Sequence, residues 1–311
     1  MIPLVGRKIK VNISHRKRKS FDTLEEAFDL NSPATIKEAI EYDERFRIDF
    51  DFSRTADLKV PDTGTVQIYN PDLAFFADVQ DSKDLFITLW GGYEDYTGVL
   101  ISGICSNYTI EKKGVDNVVD LKIGDGLNGL DKNVNLAYTK GTKFSKMATD
   151  LVDGLKQAGV EIIADAKNLI KSKITGTSSS GKTFSGSSLR SLDKIMSGHG
   201  LNAVIANNEL WVHEFAKPIE RFSIVLANNT GLLNAKKTSI ELKDKSDTKI
   251  KKDAVAFECL IIPDIVPGQQ LQFKSKLINN NETTIAVVHS CNGKGSNFTN
   301  EFKMMGIAYE F

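Results

Sequence analysis

Cysteine is scarce in this chain of 311 residues: Cys105, Cys259 and Cys291 lie far apart and form no Cys-x-x-Cys pair. That excludes a disulfide framework or a zinc ribbon, and the three thiols are expected to be reduced packing residues. Long apolar runs are absent too, and no stretch approaches the ~20 residues needed to span a bilayer. The start carries Arg7, Lys8 and Lys10 but no apolar signal-peptide core, so synthesis in a cytoplasm without secretion is expected. Neither sign of charge prevails. Lys and Arg total 40 and Asp and Glu total 40, which leaves no whole-molecule attraction to nucleic acid or to an anionic membrane. With 41% hydrophobic and 26% charged residues, the composition is that of a globular chain long enough for two or three domains.

Catalytic constellations are equally sparse. The four histidines, His15, His199, His213 and His289, have no second ligand at metal spacing, and His289-Ser-Cys291 alone does not make a metal site. No Gly-x-Ser-x-Gly elbow occurs, and acidic pairs such as Glu25-Glu26 and Asp78/Asp81 have a surface character. One formal motif stands out: Gly176-Thr-Ser-Ser-Ser-Gly181-Lys182-Thr183 fits the P-loop pattern, whose amides cradle phosphates and whose lysine meets the outer phosphates. A P-loop needs a buried strand before it and a helix starting at Gly-Lys-Thr. Here Ile170-Lys-Ser-Lys-Ile174 alternates, and Phe184-Ser-Gly186 delays the next helix to about Ser187. The segment reads as a Ser/Gly-rich turn between strands, with no cofactor and no metal. A nucleotide-binding enzyme built on Gly176, Gly181, Lys182 and Thr183 is the alternative, and a carbohydrate-binding β module a third; Trp90 and Trp211, in strand contexts, are expected to pack rather than bind sugar.

What the sequence has in quantity is short alternating strands. Phe46, Ile48, Phe50 and Phe52 point one way while Arg47, Asp49, Asp51 and Ser53 point the other. Further strands are expected at 2–13, 65–69, 85–90, 98–104 and 118–123. Turn clusters at 61–64, 91–92 and 112–114 separate them, with Gly64 and Gly92 as turn residues. Such spacing implies an antiparallel sandwich or barrel. Between 14 and 43 the basic run 15–19 is a solvated loop, and capping signals predict helices at 23–30 and from Ser32-Pro33 through Ile40. Phe144, Met147, Ala148, Leu151, Leu155 and Ala158 predict a helix stopped by Gly159, and a second is expected at 189–196. Short strands at 160–163 and 170–175 and a hairpin turning at Asn207-Asn208 complete a small α+β unit. Strands at 222–226, 254–262, 270–274 and 284–289 follow, 243–253 reads as an exposed loop, and Pro267-Gly268 predicts a type II turn with Gly268 at positive φ.

The order of these pieces resembles the baseplate or tail-tip hub proteins of phage. Gly64-Thr-Val-Gln-Ile-Tyr-Asn-Pro71, Leu89-Trp-Gly-Gly-Tyr93 and Val99-Leu-Ile-Ser-Gly-Ile104 are similar to the first barrel of that family. Residues 181–186, 189–196 and 201–212 look like its insertion domain. Thr230-Gly-Leu-Leu233, Phe257-Glu-Cys-Leu-Ile-Ile-Pro-Asp-Ile-Val-Pro-Gly268 and Ile285-Ala-Val-Val-His289 resemble the second barrel. The resemblance implies a β-rich α+β chain with two antiparallel, tail-tube-like β-barrel domains. These are 1–135, with a helical embellishment at 14–43, and 218–311, flanking an α+β insertion at 136–217. It further implies a non-enzymatic virion tail protein: a homotrimer whose six barrels ring a channel and adapt a six-fold tail tube to a three-fold spike or tip. Its expected partners are the tail tube protein, a spike or tail-tip protein, and tape measure and baseplate wedge proteins, with no membrane and with DNA only in transit.

Overall fold

The computed structural model describes residues 6–16, 36–58, 60–77, 79, 85–94, 96–125, 132–215, 217–219, 222–243, 249–279 and 283–310. The first part is built from β1 (Arg7–Arg16), β2 (Ile36–Tyr42), β3 (Ile48–Thr55), β4 (Asp62–Tyr69), a single helical turn α1 (Ala74–Ala77), β5 (Leu85–Tyr93), β6 (Tyr96–Lys113) and β7 (Asp116–Asp125). β3 alternates as its sequence predicts: Ile48, Phe50 and Phe52 are buried, while Asp51 and Ser53 face out. A middle unit contains β8 (Asn133–Tyr138), α2 (Phe144–Gln157), β9 (Glu161–Ile162), α3 (Ala164–Lys173), β10 (Lys182–Ser187), α4 (Ser188–Gly198), β11 (Leu201–Ala206) and β12 (Glu209–Glu214). The last part holds β13 (Ile224–Ala227), β14 (Leu232–Lys243), β15 (Lys249–Leu260), β16 (Gln270–Lys274), the short α5 (Lys276–Asn279), β17 (Thr283–Ser296) and β18 (Phe302–Glu310). The fold is thus β-rich α+β and dominated by antiparallel pairing.

The first and last parts share one 13-stranded sheet, whose path runs β14-β15-β18-β17-β3-β4-β7-β6-β5-β1-β2, with β16 and β13 branching from β17. A strand order recurs within it. β3-β4-β7-β6-β5 in the first half matches β14-β15-β18-β17-β16 in the second, with the strands taken in the same chain order and all paired antiparallel. The ends differ, since β1 lies antiparallel to β5 whereas β13 lies parallel to β16. Both halves bury their apolar faces in one continuous core that runs from Val11 and Ile87 through Phe52 to Phe257 and Phe273.

The middle unit has its own core, in which Met147, Leu151 and Leu155 of α2 meet Leu189, Leu192 and Met196 of α4. Ser187 caps α4 by accepting from the Arg190 amide, and the Ser188 hydroxyl donates to Leu151 O at 2.8 Å. Because Gly154 has no side chain, α4 approaches here; a Cβ would lie 3.2 Å from Ser188 Oγ.

Three expectations change. The helix expected through Ile40 is the strand β2: a Ser-Pro cap signal is local, and pairing with β1 (Tyr42 opposite Val11, both fully buried) overrides it. The helix expected at 23–30 lies outside the described residues, as does most of the basic run. The strand expected at 170–175 is largely the end of α3, because Ala166 and Ile170, four residues apart, are both buried on one helical face. Of the loop expected at 243–253, the described residues belong to β14 and β15, with Lys243 opposite Lys249 and Leu242 opposite Ile250, while 244–248 lie outside the described residues; this mixed-charge stretch has no apolar period to announce a strand.

The halves meet where β17 pairs with β3, and glycine makes that seam possible. Gly293 sits opposite Phe52 and Gly295 opposite Phe50. A Cβ on Gly293 would lie 2.3 Å from the Phe52 ring, and one on Gly295 2.7 Å from the Phe50 ring. The rings lie over the bare glycine backbone. Gly293→Ala is therefore expected to cost about 1–3 kcal/mol by overpacking. Gly198→Ala, at a helical glycine whose Cβ would meet nothing within 4 Å, should be neutral or slightly stabilising. Thermal melts of the two variants test this, and equal melting temperatures would rule out the seam packing.

Candidate functional site

The junction of the three units is organised by a change of neighbour along β17. Residues 283–287 pair with β16, and residues 290–296 pair with β3. Between them the ladder to β18 slips at His289, whose carbonyl accepts from the Ala56 amide at 2.8 Å. This bulge turns the strand from one partner to the other. Burial lowers the pKa of His289. Beside it, Gln269 N–H donates to Val266 O at 3.0 Å, with Pro267 and Gly268 at the turn's centre and Gly268 at φ 84°. Gly268 N–H in turn donates to Val288 O at 2.8 Å, which docks the turn on β17. A Cβ at Gly268 would lie 2.6 Å from Ile219 Cδ1, so close approach and positive φ both require glycine.

Arg54 ties the units together. It is the last even-numbered residue on the apolar face of β3 and is 1% exposed. Its guanidinium donates to Ile265 O of the second half at 3.3 Å, to Val99 O and Leu100 O of β6, and to Asn207 Oδ1 of the middle unit at 3.0 Å. The charge also lies 5.3 Å from the centroid of Phe52. Five donors in a rigid plane suit this task, since the acceptors converge from three parts of the chain.

Beneath Arg54, Asp62 of β4 and Asp125 of β7 lie directly opposite each other, both buried. Asp62 Oδ1 accepts from Thr55 N–H at 3.0 Å, and Asp125 Oδ1 accepts from Asn208 N–H at 2.9 Å. Burial, reinforced by the facing Asp125, raises the Asp62 pKa well above the usual carboxylate value, against the opposing pull of Arg54. Asn207 and Asn208 form the tight hairpin turn between β11 and β12, both at positive φ (55° and 67°). The two-residue turn expected from Asn-Asn thus becomes a docking finger, one residue contacting Arg54 and the next Asp125. Trp211 packs behind it with Ala56, Val204 and Val266.

The residues singled out by sequence scatter around this junction. Gly64 is inside β4 rather than in a turn, paired with Phe52, and its Cβ would meet Asp51 O and Ile101 at 3.2 Å. Gly92 is likewise within β5; at φ 147° it lies so close to the β5–β6 turn that a Cβ would sit 2.1 Å from Tyr96 O. In both cases a glycine that reads as a turn instead permits close approach between strands. The P-loop-like segment lacks P-loop geometry: α3 precedes it, Lys182 and Thr183 lie in β10 paired with β8, and α4 starts only at Ser188. Lys182 Nζ stands 5.1 Å over the Phe144 ring. Trp90 is 38% exposed, against the expectation that it packs. All three cysteines are buried and free, and burial raises the pKa of Cys105 to about 11 and of Cys291 to about 12. His199 bridges Ile195 O and Thr175 O, while buried His213 contacts Lys217 O at 2.6 Å. Among the described residues no three His, Cys, Asp or Glu side chains gather as a metal site, and no helix is long and apolar enough to cross a membrane. Sequence reading missed Arg54, Asp62 and Asp125. Arg54 carried a signal: a charge on the apolar parity of β3.

By sequence the chain matches no family model and no curated protein. By structure it resembles phage tail proteins. A tail protein from Neisseria meningitidis MC58 superposes with TM-score 0.58 at 9% identity over 98% of this chain and 96% of that one. A 43 kDa tail protein of prophage MuSo2 from Shewanella oneidensis gives TM-score 0.55 at 8% identity over 88% and 93%. An Escherichia coli protein described as a component of the type VI secretion system, with structural similarity to T4 tail proteins gp27 and gp5, gives 0.56 at 8% over 85% and 73%. The chain therefore has a fold shared by phage tail proteins and a type VI secretion component, and that fold extends over nearly its whole length.

Two outcomes test the junction. Arg54→Met is expected to lose about 3–5 kcal/mol, because it strands buried carbonyls and the Asp62–Asp125 pair. Arg54→Lys should recover little, since one ammonium cannot reach acceptors on three sides; urea unfolding midpoints decide, and full recovery by lysine would refute the bridging role. Asp62 holds its proton more tightly folded than unfolded. Its contribution is thus fully present below the ordinary value of 3.8 and is lost as pH rises through the raised folded pKa. Asp62→Asn should match the parent near about pH 4 and melt higher at about pH 7–8. The same melting difference at both pH values would show that ionised Asp62 carries no penalty.

Proposed function

We propose that the chain is a structural hub subunit of a phage or phage-derived tail baseplate or tip, without enzymatic activity. The observation that carries this reading is the strand order repeated in the two halves of one chain. Three such chains present six similar units, the number needed to meet a six-fold tube on one face while the chain itself remains three-fold for a spike or tip on the other. Each half is read as a tube-like barrel domain, over 1–135 and 218–311, with 136–217 as an insertion clamped on the outside by Asn207 and Asn208. The subunit sits in the virion tail, beside the tail tube protein and the spike or tip protein, with tape measure and baseplate wedge proteins near it; DNA passes its channel without specific contact. Support comes from the tail-protein neighbours and from a junction in which Arg54, Asp62 and Asp125 each bond backbone groups of the chain itself.

Sedimentation equilibrium of the purified chain, with negative-stain averaging, tests the proposal. The expected result is a mass of three chains and rings with three-fold symmetry and six lobes. A stable monomer, alone and with tail tube protein, would overturn it.

A further inference from the structure

The strand repeat leaves one edge of each half unmatched, and the seam inside the chain shows what would fill it. Within the second half, β17 pairs first with β16, bulges between Val288 and Ser290, and then takes β3 of the first half as a new neighbour. β6 is the strand in the same place in the first half. It pairs with β5 up to Ile104, bulges between Cys105 and Asn107, and continues to Lys113 with β7 on one side only. Among the described residues, 107–113 have no strand on the other side, and Ile110 is 45% exposed there. Among the described residues β14, which stands where β3 stands, pairs only with β15 and has no strand on its other edge.

The register of the missing pair can be read off one row across each half. In the first half Asn107, Lys122, Thr65 and Asp51 stand opposite one another in turn across β6, β7, β4 and β3. The corresponding row of the second half is Ser290, Ile307, Ala256 and Lys236 across β17, β18, β15 and β14. In the seam inside the chain, the residue four past Ser290, Lys294, lies opposite Asp51. The residue four past Asn107 is Glu111, and the residue in the place of Asp51 is Lys236.

From this we infer that the open edge of β6, residues 107–113, pairs antiparallel with β14 of a second copy of this chain, Glu111 opposite Lys236, repeating between copies the β17–β3 seam within each copy. The chemistry fits. Lys294 stands opposite Asp51 in register while its ammonium pairs with Glu301 at 2.8 Å; the matching places between copies hold Glu111 and Lys236, opposite charges with the sign exchanged, and among the described residues neither Glu111 nor Lys236 is in an ion pair. Bulk is exchanged in the same way. Where Gly295 faces Phe50 inside the chain, Lys112 would face Ala235 between copies; where Gly293 faces Phe52, Ile110 would face Lys237. Thr109 would face Thr238. The contact is head-to-tail, so repeating it either closes a ring or extends a filament, and alternation with the internal seam makes both kinds of joint alike. The exposed ladder groups of two long edges are satisfied together.

This inference rests on the ring reading, and the test separates the two. The full-length chain carrying Thr109→Cys and Thr238→Cys is oxidised and run on a non-reducing gel, its three native thiols being buried. In parallel, assembly is measured by sedimentation for Glu111→Lys, Lys236→Glu and the two combined. The expected results are a covalent trimer band, with either reversal alone weakening assembly about tenfold, because like charges directly opposite oppose pairing at every copy of the contact, and the double exchange restoring it. Three-fold assembly with neither cross-link nor charge dependence would overturn the edge pairing and leave the ring standing. A cross-linked open ladder beyond three chains would keep the pairing and overturn the closed trimer. A monomer at every concentration would remove both.

Discussion

One strand changing partners holds the molecule together. An antiparallel ladder offers each strand two edges, and β17 needs three neighbours: β18 along one edge from Ala286 to Gly295, and on the other first β16 and then β3. The slip at His289 resolves this by spending one residue outside the ladder, and its carbonyl is satisfied by Ala56. From that point the requirements follow in order. Phe50 and Phe52 must lie across the incoming strand, so β17 carries Gly293 and Gly295; the Pro267-Gly268 turn must seat on Val288, so it needs a left-handed residue with no side chain.

Leu100 falls in the register slip between β5 and β6, and Ile265 lies in the turn before β16, so neither has a ladder partner. Arg54, itself 1% exposed, supplies donors to both carbonyls and to that of Val99. A buried guanidinium is a costly solution in bare energetic terms, and a hydrophobic replacement often packs as well where nothing needs a donor. Here the acceptors belong to different units, so the charge specifies one relative placement of three bodies. Asp62 and Asp125 add to that specificity, since the Asn207–Asn208 finger reaches both the guanidinium and a carboxylate.

The likeness to tail proteins at 8–9% identity is understandable in these terms. A sheet needs alternation, turns and a few bare glycines, and cores accept wholesale exchange among apolar residues of suitable volume. Such constraints preserve a path of strands while leaving almost no shared text. The duplicated strand order survives inside this chain in the same way: the rows through Asp51 and Lys236 occupy matching places with unrelated residues.

Much of the architecture is legible in the residues alone. Alternation in Phe46–Ser53 sets β3 and its buried face, the spacing of Met147, Leu151 and Leu155 sets α2, Asn207-Asn208 sets a hairpin, and the missing helix after Gly181-Lys182-Thr183 already argues against a nucleotide site. These are local signals, produced by neighbours in the chain with a period that matches the element. What only the tertiary structure decides is long-range. A Ser-Pro cap cannot announce that 36–42 will be claimed by β1, a glycine in Gly64 or Gly293 does not state whether it turns the chain or yields to a ring across the sheet, and nothing near Arg54 reveals that its acceptors lie 45, 46, 153 and 211 residues away. Periodicity records which face a residue turns to the core; which strand lies opposite is a property of the assembled sheet.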